Sequence, residues 1–179
     1  MFKVLKDYCK PARGTRYSAY VDLFSAEDIT IGAGETKVIK LGVKLDLDKL
    51  YKSWYLYTEQ NNISGSWEMY LSSHYLEVAL RSSLGVKGLI IANGTGKVDL
   101  DYPEEIGLIV HNPYTNKKDS RNIENEYGEV TGVRYVEPKG FYIKKGDKVA
   151  QCTIAPHDGF LMGYESDVIR TSGFGSTGK

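Results

Sequence analysis

The chain has 179 residues, 41% of them apolar, which suits one domain with a buried core and excludes a globally disordered polymer. Lys plus Arg and Asp plus Glu number 23 each, so the formal charge is zero and a basic nucleic-acid coat is not indicated. With two cysteines, Cys9 and Cys152, there is no disulfide scaffold and no four-cysteine zinc site; no apolar run reaches membrane-spanning length, so a soluble, intracellular protein is expected.

In chain order, most segments read as short strands. Thr30-Ile31 leads through a Gly32–Thr36 turn into Lys37–Leu41, which alternates polar and apolar residues, and Val43–Leu47 does the same. Period two between glycine-rich turns predicts half-buried antiparallel strands. Helical periodicity is scarce, and its best candidate is Tyr75–Leu80. Leu89–Ile91 and Ile106–Val110 flank a loop of Gly, Asn, Asp and Pro; Gly140–Ile143 and Val149–Ile154 read as two further strands around the turn Lys144–Asp147. With no strand–helix–strand spacing, a doubly wound sheet is disfavoured. Two stretches break this rhythm. Residues 51–74 collect Tyr51, Trp54, Tyr55, Tyr57, Trp67 and Tyr70 around a polar Glu59–Asn62 centre, with a turn expected at Asn62–Gly65. Residues 114–138 are polar and carry little core material. The expected organisation is a single domain over 1–179, with excursions at about 51–74 and 114–138 and a mobile glycine-rich tail over 170–179.

Several residues could carry chemistry. Gly173 to Gly178-Lys179 has the spacing of a phosphate-binding loop but lacks the following Ser or Thr and a helix, so an ATPase of that kind is a poor reading. Asp99 and Asp101, two apart, suit metal or general-base work if they share a strand face, and a solvated turn otherwise. Asp22 sits among apolar residues and needs a hydrogen bond, a cation or a metal. Arg81-Ser82-Ser83 could clamp an anion. His74, His111 and His157 are scattered without metal-ligand spacing, and there is no Gly-x-Ser-x-Gly. Phe174, between two glycines, could close over a flat ligand or plug onto a neighbouring subunit.

Five short motifs in order resemble those of the homotrimeric deoxyuridine triphosphatase (dUTPase) family, bacterial or phage type. They are Ser18–Ala26, Arg81–Gly85, Asn93–Tyr102, Gly146–Gln151 and Arg170–Gly178. The resemblance implies an all-β, jelly-roll-like barrel with the C-terminal tail exchanged in a trimer. It implies Mg²⁺-dependent hydrolysis of dUTP to dUMP and pyrophosphate, a hydrolase of nucleotide metabolism, in a bacterial or phage-infected cytoplasm. It makes Asp99 the general base for the water that attacks the α-phosphorus. Asn93, six residues earlier, would read uracil with backbone groups of the hairpin around Gly96, and Tyr102 would pack under the deoxyribose and exclude a 2′-hydroxyl. Asp22 would hold Mg²⁺ through water; Ser82, Ser83 and Gln151 would contact the phosphates with Arg81 in support. Arg170, Ser176 and Thr177 would grip the γ-phosphate while Phe174 and Gly175 close over the base. Each site would draw on three subunits.

The chain departs from that pattern at Tyr20 and Ser83, where glycine is usual, at Lys97, where an apolar residue is usual, and in a last motif one residue short after Arg170. A dCTP deaminase shares Arg-Ser-Ser-Leu-Gly, but its catalytic Glu, three residues before an Asn, would fall on Ile109, which cannot shuttle protons. The third reading is a regulatory module whose aromatic segment 51–74 binds a protein partner; neither nucleic acid nor membrane is expected as a partner.

Overall fold

A computed structural model describes residues 1–114, 119–136 and 139–163 of the chain. The strands are β1 (Phe2–Val4), β2 (Ala12–Arg13), β3 (Val21–Phe24), β4 (Ile29–Ile31), β5 (Thr36–Lys40) and β6 (Val43–Leu45). Two helices follow, α1 (Leu47–Asn61) and α2 (Trp67–Ser73), then β7 (His74–Leu80), the short α3 (Ser82–Gly85), β8 (Ile90–Ile91), β9 (Gly96–Asp99) and β10 (Gly107–His111). The rest is β11 (Asp119–Glu124), β12 (Val130–Val136), β13 (Phe141–Ile143) and β14 (Lys148–Pro156).

Among the described residues the strands form five antiparallel sheets: one of five strands in the order β2-β3-β14-β7-β9, one of three in the order β5-β10-β8, and the pairs β1-β6, β4-β13 and β11-β12. The expected all-β jelly-roll barrel is therefore corrected. Among the described residues the fold is mixed α/β and its sheets are open, with β2 and β9 as free edges of the largest. The tail whose exchange was expected lies outside the described residues.

The helices account for the difference. Leu47, Leu50, Tyr51 and Trp54 recur at the i, i+3, i+4, i+7 spacing of one helix face. Asp46 starts the helix, its carboxylate accepting from the Lys49 N–H at 3.1 Å. Asn62, at φ +53°, stops it in the left-handed conformation, where asparagine is tolerated. Ser66 caps α2 in turn by accepting from the Met69 N–H at 3.1 Å. Tyr75–Leu80, the helical candidate, is strand β7, with Leu76 and Val78 buried in alternation between less buried neighbours. A strand that buries one face needs only period two, and six residues are too few to separate the two periods.

One core unites these pieces. Leu23, Leu76, Val78 and Cys152 of the large sheet pack with Ile39, Leu108 and Val110 of the second sheet, and Leu50, the buried residue of α1, joins them. The pleat then sets the opposite face of the large sheet. Cross-strand partners share a face, and the register pairs Asp22 with Gln151, Thr153 with Glu77, Glu77 with Lys97, and Tyr75 with Asp99. One polar face thus runs across four strands, backed by a dry interior.

Candidate functional site

Two clefts flank this face, and the residues that line them do not overlap. The first, of about 200 Å³, is lined by Asn93, Gly96, Lys97, Asp99 and Tyr102 together with Val78, Ile106 and Leu108. Local backbone chemistry builds it. Gly94 takes φ +72°, open to glycine at no steric cost, so the chain reverses tightly after Asn93. A Cβ on Gly96 would come within 3.3 Å of the Val78 carbonyl oxygen, so glycine there lets β9 lie close against β7. Strand β9 stops at Asp99, and the Tyr102 N–H donates to the Asp99 carbonyl at 3.0 Å, closing a turn through Leu100 and Asp101. Asp99 is therefore at a strand end and Asp101 in the turn beyond it. Leu100 and Tyr102 are buried, which anchors this turn on the core while Asp99 and Asn93 stay exposed. The result is a cleft with apolar walls whose polar lining includes an amide, Asn93, and a carboxylate, Asp99.

The second cleft, of about 310 Å³, is lined by Gly14, Ser18, Ala19, Tyr20, Asp22, Arg81 and Gln151. Asp22 is 7% exposed, and the requirement for a partner is met twice. Its Oδ1 receives the Arg81 guanidinium and its Oδ2 lies 3.0 Å from Lys148 Nζ. One carboxylate between two cations leaves a net positive charge, which suits an anion. Arg81 is fixed by its backbone as well, its N–H donating to the Val149 carbonyl at 3.1 Å, and this places it where β7 gives way to α3. Ser82 is exposed at the start of α3. Ser83 lines a third cleft, of about 230 Å³, with Lys87, Tyr142 and Lys148.

The structure brings Asn93, Gly96, Asp99 and Tyr102 together, and separately Asp22, Arg81 and Gln151. It places Ser83 on neither of these two clefts. Arg170, Phe174, Gly175, Ser176 and Thr177 lie outside the described residues. Among the described residues no three of His, Cys, Asp and Glu group as metal ligands. Asp22 is the carboxylate that lines the second cleft, and both of its oxygens are engaged by cations.

Three residues went unselected in the sequence. Lys148 stands in the fourth motif, and only the fold carries it to Asp22. Glu77 and Tyr75 were hidden inside the segment read as a helix. Glu77 accepts from the Tyr20 phenol through one oxygen and from Tyr75 Oη at 3.2 Å through the other. This also settles how the chain tolerates Tyr20: the ring leans along the sheet toward β7. The bond to Glu77 is the main cause that raises the Tyr20 phenol above its ordinary pKa; for Tyr75, desolvation leads and the same carboxylate adds to it. Lys97 Nζ lies 5.8 Å from the centre of the Tyr75 ring.

No protein-family model matches the chain. Known proteins do. The deoxyuridine 5'-triphosphate nucleotidohydrolase of Rickettsia felis is 29% identical over 175 residues, covering 94% of this chain and 87% of that protein. The enzyme of the same name from Nautilia profundicola is 29% identical over 174 residues, covering 94% and 90%. Among solved structures, the dUTPase of Streptococcus mutans superposes with a TM-score of 0.56 at 20% identity, over 87% of this chain and 94% of that one. The dUTPase of Staphylococcus bacteriophage 80alpha superposes at 0.58 with 21% identity, over 97% and 96%. These structural likenesses speak for a shared fold.

Proposed function

Since this chain belongs to the dUTPase family and is a hydrolase, we propose that it converts dUTP to dUMP and pyrophosphate by attack of an Asp99-activated water on the α-phosphorus. One observation carries the reading: Asn93, Gly96, Asp99 and Tyr102 line a single cleft. Uracil enters between Asn93 and the backbone around Gly96, where an amide offers a donor and an acceptor to the base. The Tyr102 ring, buried beneath the slot, meets the deoxyribose and leaves no room for a 2′-hydroxyl. Asp99, exposed on the cleft wall, takes one proton from water as the water's oxygen bonds to the α-phosphorus. The bond from that phosphorus to the bridging oxygen breaks, and pyrophosphate leaves with the electron pair.

The second cleft holds the phosphates. Arg81 and Lys148 supply charge and Gln151 a side-chain donor, with the Ser82 hydroxyl at the start of α3 after Arg81, while Ser83 would reach them only from the third cleft. Asp22 would hold Mg²⁺ through water; the ion, when bound, screens the phosphate charge and orients the α-phosphate. In this reading the two clefts, which share no lining residue, join across subunits of a homotrimer, one subunit's Asp99 cleft meeting a neighbour's Asp22 cleft. In this reading Arg170, Ser176 and Thr177 reach the γ-phosphate and Phe174 and Gly175 cover the base, from a third subunit.

The test is product analysis with Mg²⁺ and dUTP, dCTP, dTTP or UTP supplied separately. Pyrophosphate and dUMP from dUTP alone are expected. Uracil nucleotide formed from dCTP would point to deamination instead, and no product from any of the four would end the catalytic reading.

A further inference from the structure

Glu77 has no part in the chemistry above, yet it stands between the two clefts of one chain, each of which serves a different composite site in that reading. Through one oxygen it holds Tyr20, which walls the Asp22–Arg81 cleft; through the other it holds Tyr75, which lies directly across the ladder from Asp99. The polar groups around it are those two phenols, Lys97 opposite on β9 and Thr153 opposite on β14. A carboxylate accepting two phenolic O–H groups makes charge-assisted bonds, which are stronger and more directional than neutral ones. Without them the Tyr20 ring, at the mouth of a cleft of about 310 Å³, is free to turn into the space the phosphates need. Tyr75, whose backbone pairs with Asp99, likewise loses the bond that fixes its ring beneath Lys97.

We propose that Glu77 is a positioning residue for both clefts of its own chain, and so for two composite sites, keeping the anion cleft open through Tyr20 and the β7–β9 ladder that ends at Asp99 aligned through Tyr75. The inference rests on the triphosphatase reading for its second half only. Four variants of the full chain test it: Glu77→Leu, Glu77→Gln, Tyr20→Phe and Tyr75→Phe. Each is assayed by steady-state dUTP hydrolysis, by calorimetric titration with inorganic pyrophosphate and Mg²⁺, and by thermal unfolding.

Glu77→Leu should weaken pyrophosphate binding and lower kcat by about tenfold each, the scale of one charge-assisted hydrogen bond. Tyr20→Phe should raise KM more than it lowers kcat, and Tyr75→Phe the reverse, a split that a general loss of stability does not produce. Glu77→Gln keeps an acceptor and should restore part of both losses. Glu77→Leu with both constants within about twofold of the parent, below the cost of a single lost bond, overturns the proposal. If Glu77→Leu does not fold, the tyrosine variants decide, and parental constants in both overturn it. A parent chain that leaves dUTP intact refutes the triphosphatase reading, whereas pyrophosphate binding unchanged in Tyr20→Phe and Glu77→Leu refutes the role of Glu77.

Discussion

The polar face of the large sheet and the helical pair α1–α2 are both rich in tyrosine, and they use it in opposite ways. On the sheet, Tyr20 and Tyr75 each donate to one carboxylate and so have fixed directions. On the helices the rings meet one another. Tyr51 meets Trp67 edge-on at 5.4 Å, Trp67 stacks on Tyr70 at 5.7 Å, and Tyr70 stacks on His74, the first residue of β7, at 4.2 Å. That stack gives area without a fixed hydrogen-bond pattern, and beyond it Tyr55, Leu56, Tyr57 and Met69 are exposed. The sheet face is built for direction and the helical pair for attachment. Changes in the first should therefore alter chemistry at constant stability, and changes in the second should alter stability at constant chemistry.

The largest expected effect is on the sheet. Asp99→Asn removes the base and keeps the shape, so kcat should fall roughly 10²- to 10⁴-fold while the unfolding temperature holds. A fall in stability of the same variant would merge the two regions and break the comparison. On the helices, Leu50 is 3% exposed and ties α1 to the core, so Leu50→Ala should cost about 2–5 kcal/mol in denaturant unfolding. Its kcat per folded molecule should stay parental.

Arg81→Ala leaves the buried Asp22 carboxylate with Lys148 alone, and KM for dUTP should rise about tenfold or more. Joined to Asp99→Asn it also tests the shared site. Oligomers refolded from a mixture of the two impaired variants should regain part of the activity if, as proposed, a site takes its Asp99 cleft and its Asp22 cleft from different subunits; separately folded and merely mixed chains should not.

The smallest effect concerns the interior. Burial pushes the Cys152 thiol up to about 12 and also raises Cys9. A raised folded value means that the neutral thiol is favoured by folding. That contribution is complete below the ordinary value of 9.0 and fades as pH climbs toward about 12. At pH 8 neither cysteine should react with a disulfide reagent until denaturant is added; fast reaction of the native protein would place a thiol at the surface.

Much of the strand framework was legible because alternation is local: Lys37–Leu41, Val43–Leu47 and Val149–Ile154 state their pairing faces in their own residues, although β6 ends at Leu45 and Leu47 opens α1. The helix α1 carried a signal too, Asp46 followed by Leu47, Leu50, Tyr51 and Trp54, but aromatic residues favour strands as readily and masked it. What no local pattern could give is partnership. The sequence demanded a partner for Asp22, yet Lys148 is 126 residues away, and β14 beside β3 is what joins them. Glu77 was invisible for the same reason, since its value lies in Tyr20 reaching across from the bend just before β3.

The most direct test of the account is to run the reaction in ¹⁸O-labelled water with Mg²⁺ and dUTP, and to weigh the products. Attack of an Asp99-activated water on the α-phosphorus predicts one labelled oxygen in dUMP and none in pyrophosphate. Label in pyrophosphate, or no hydrolysis at all, would contradict it.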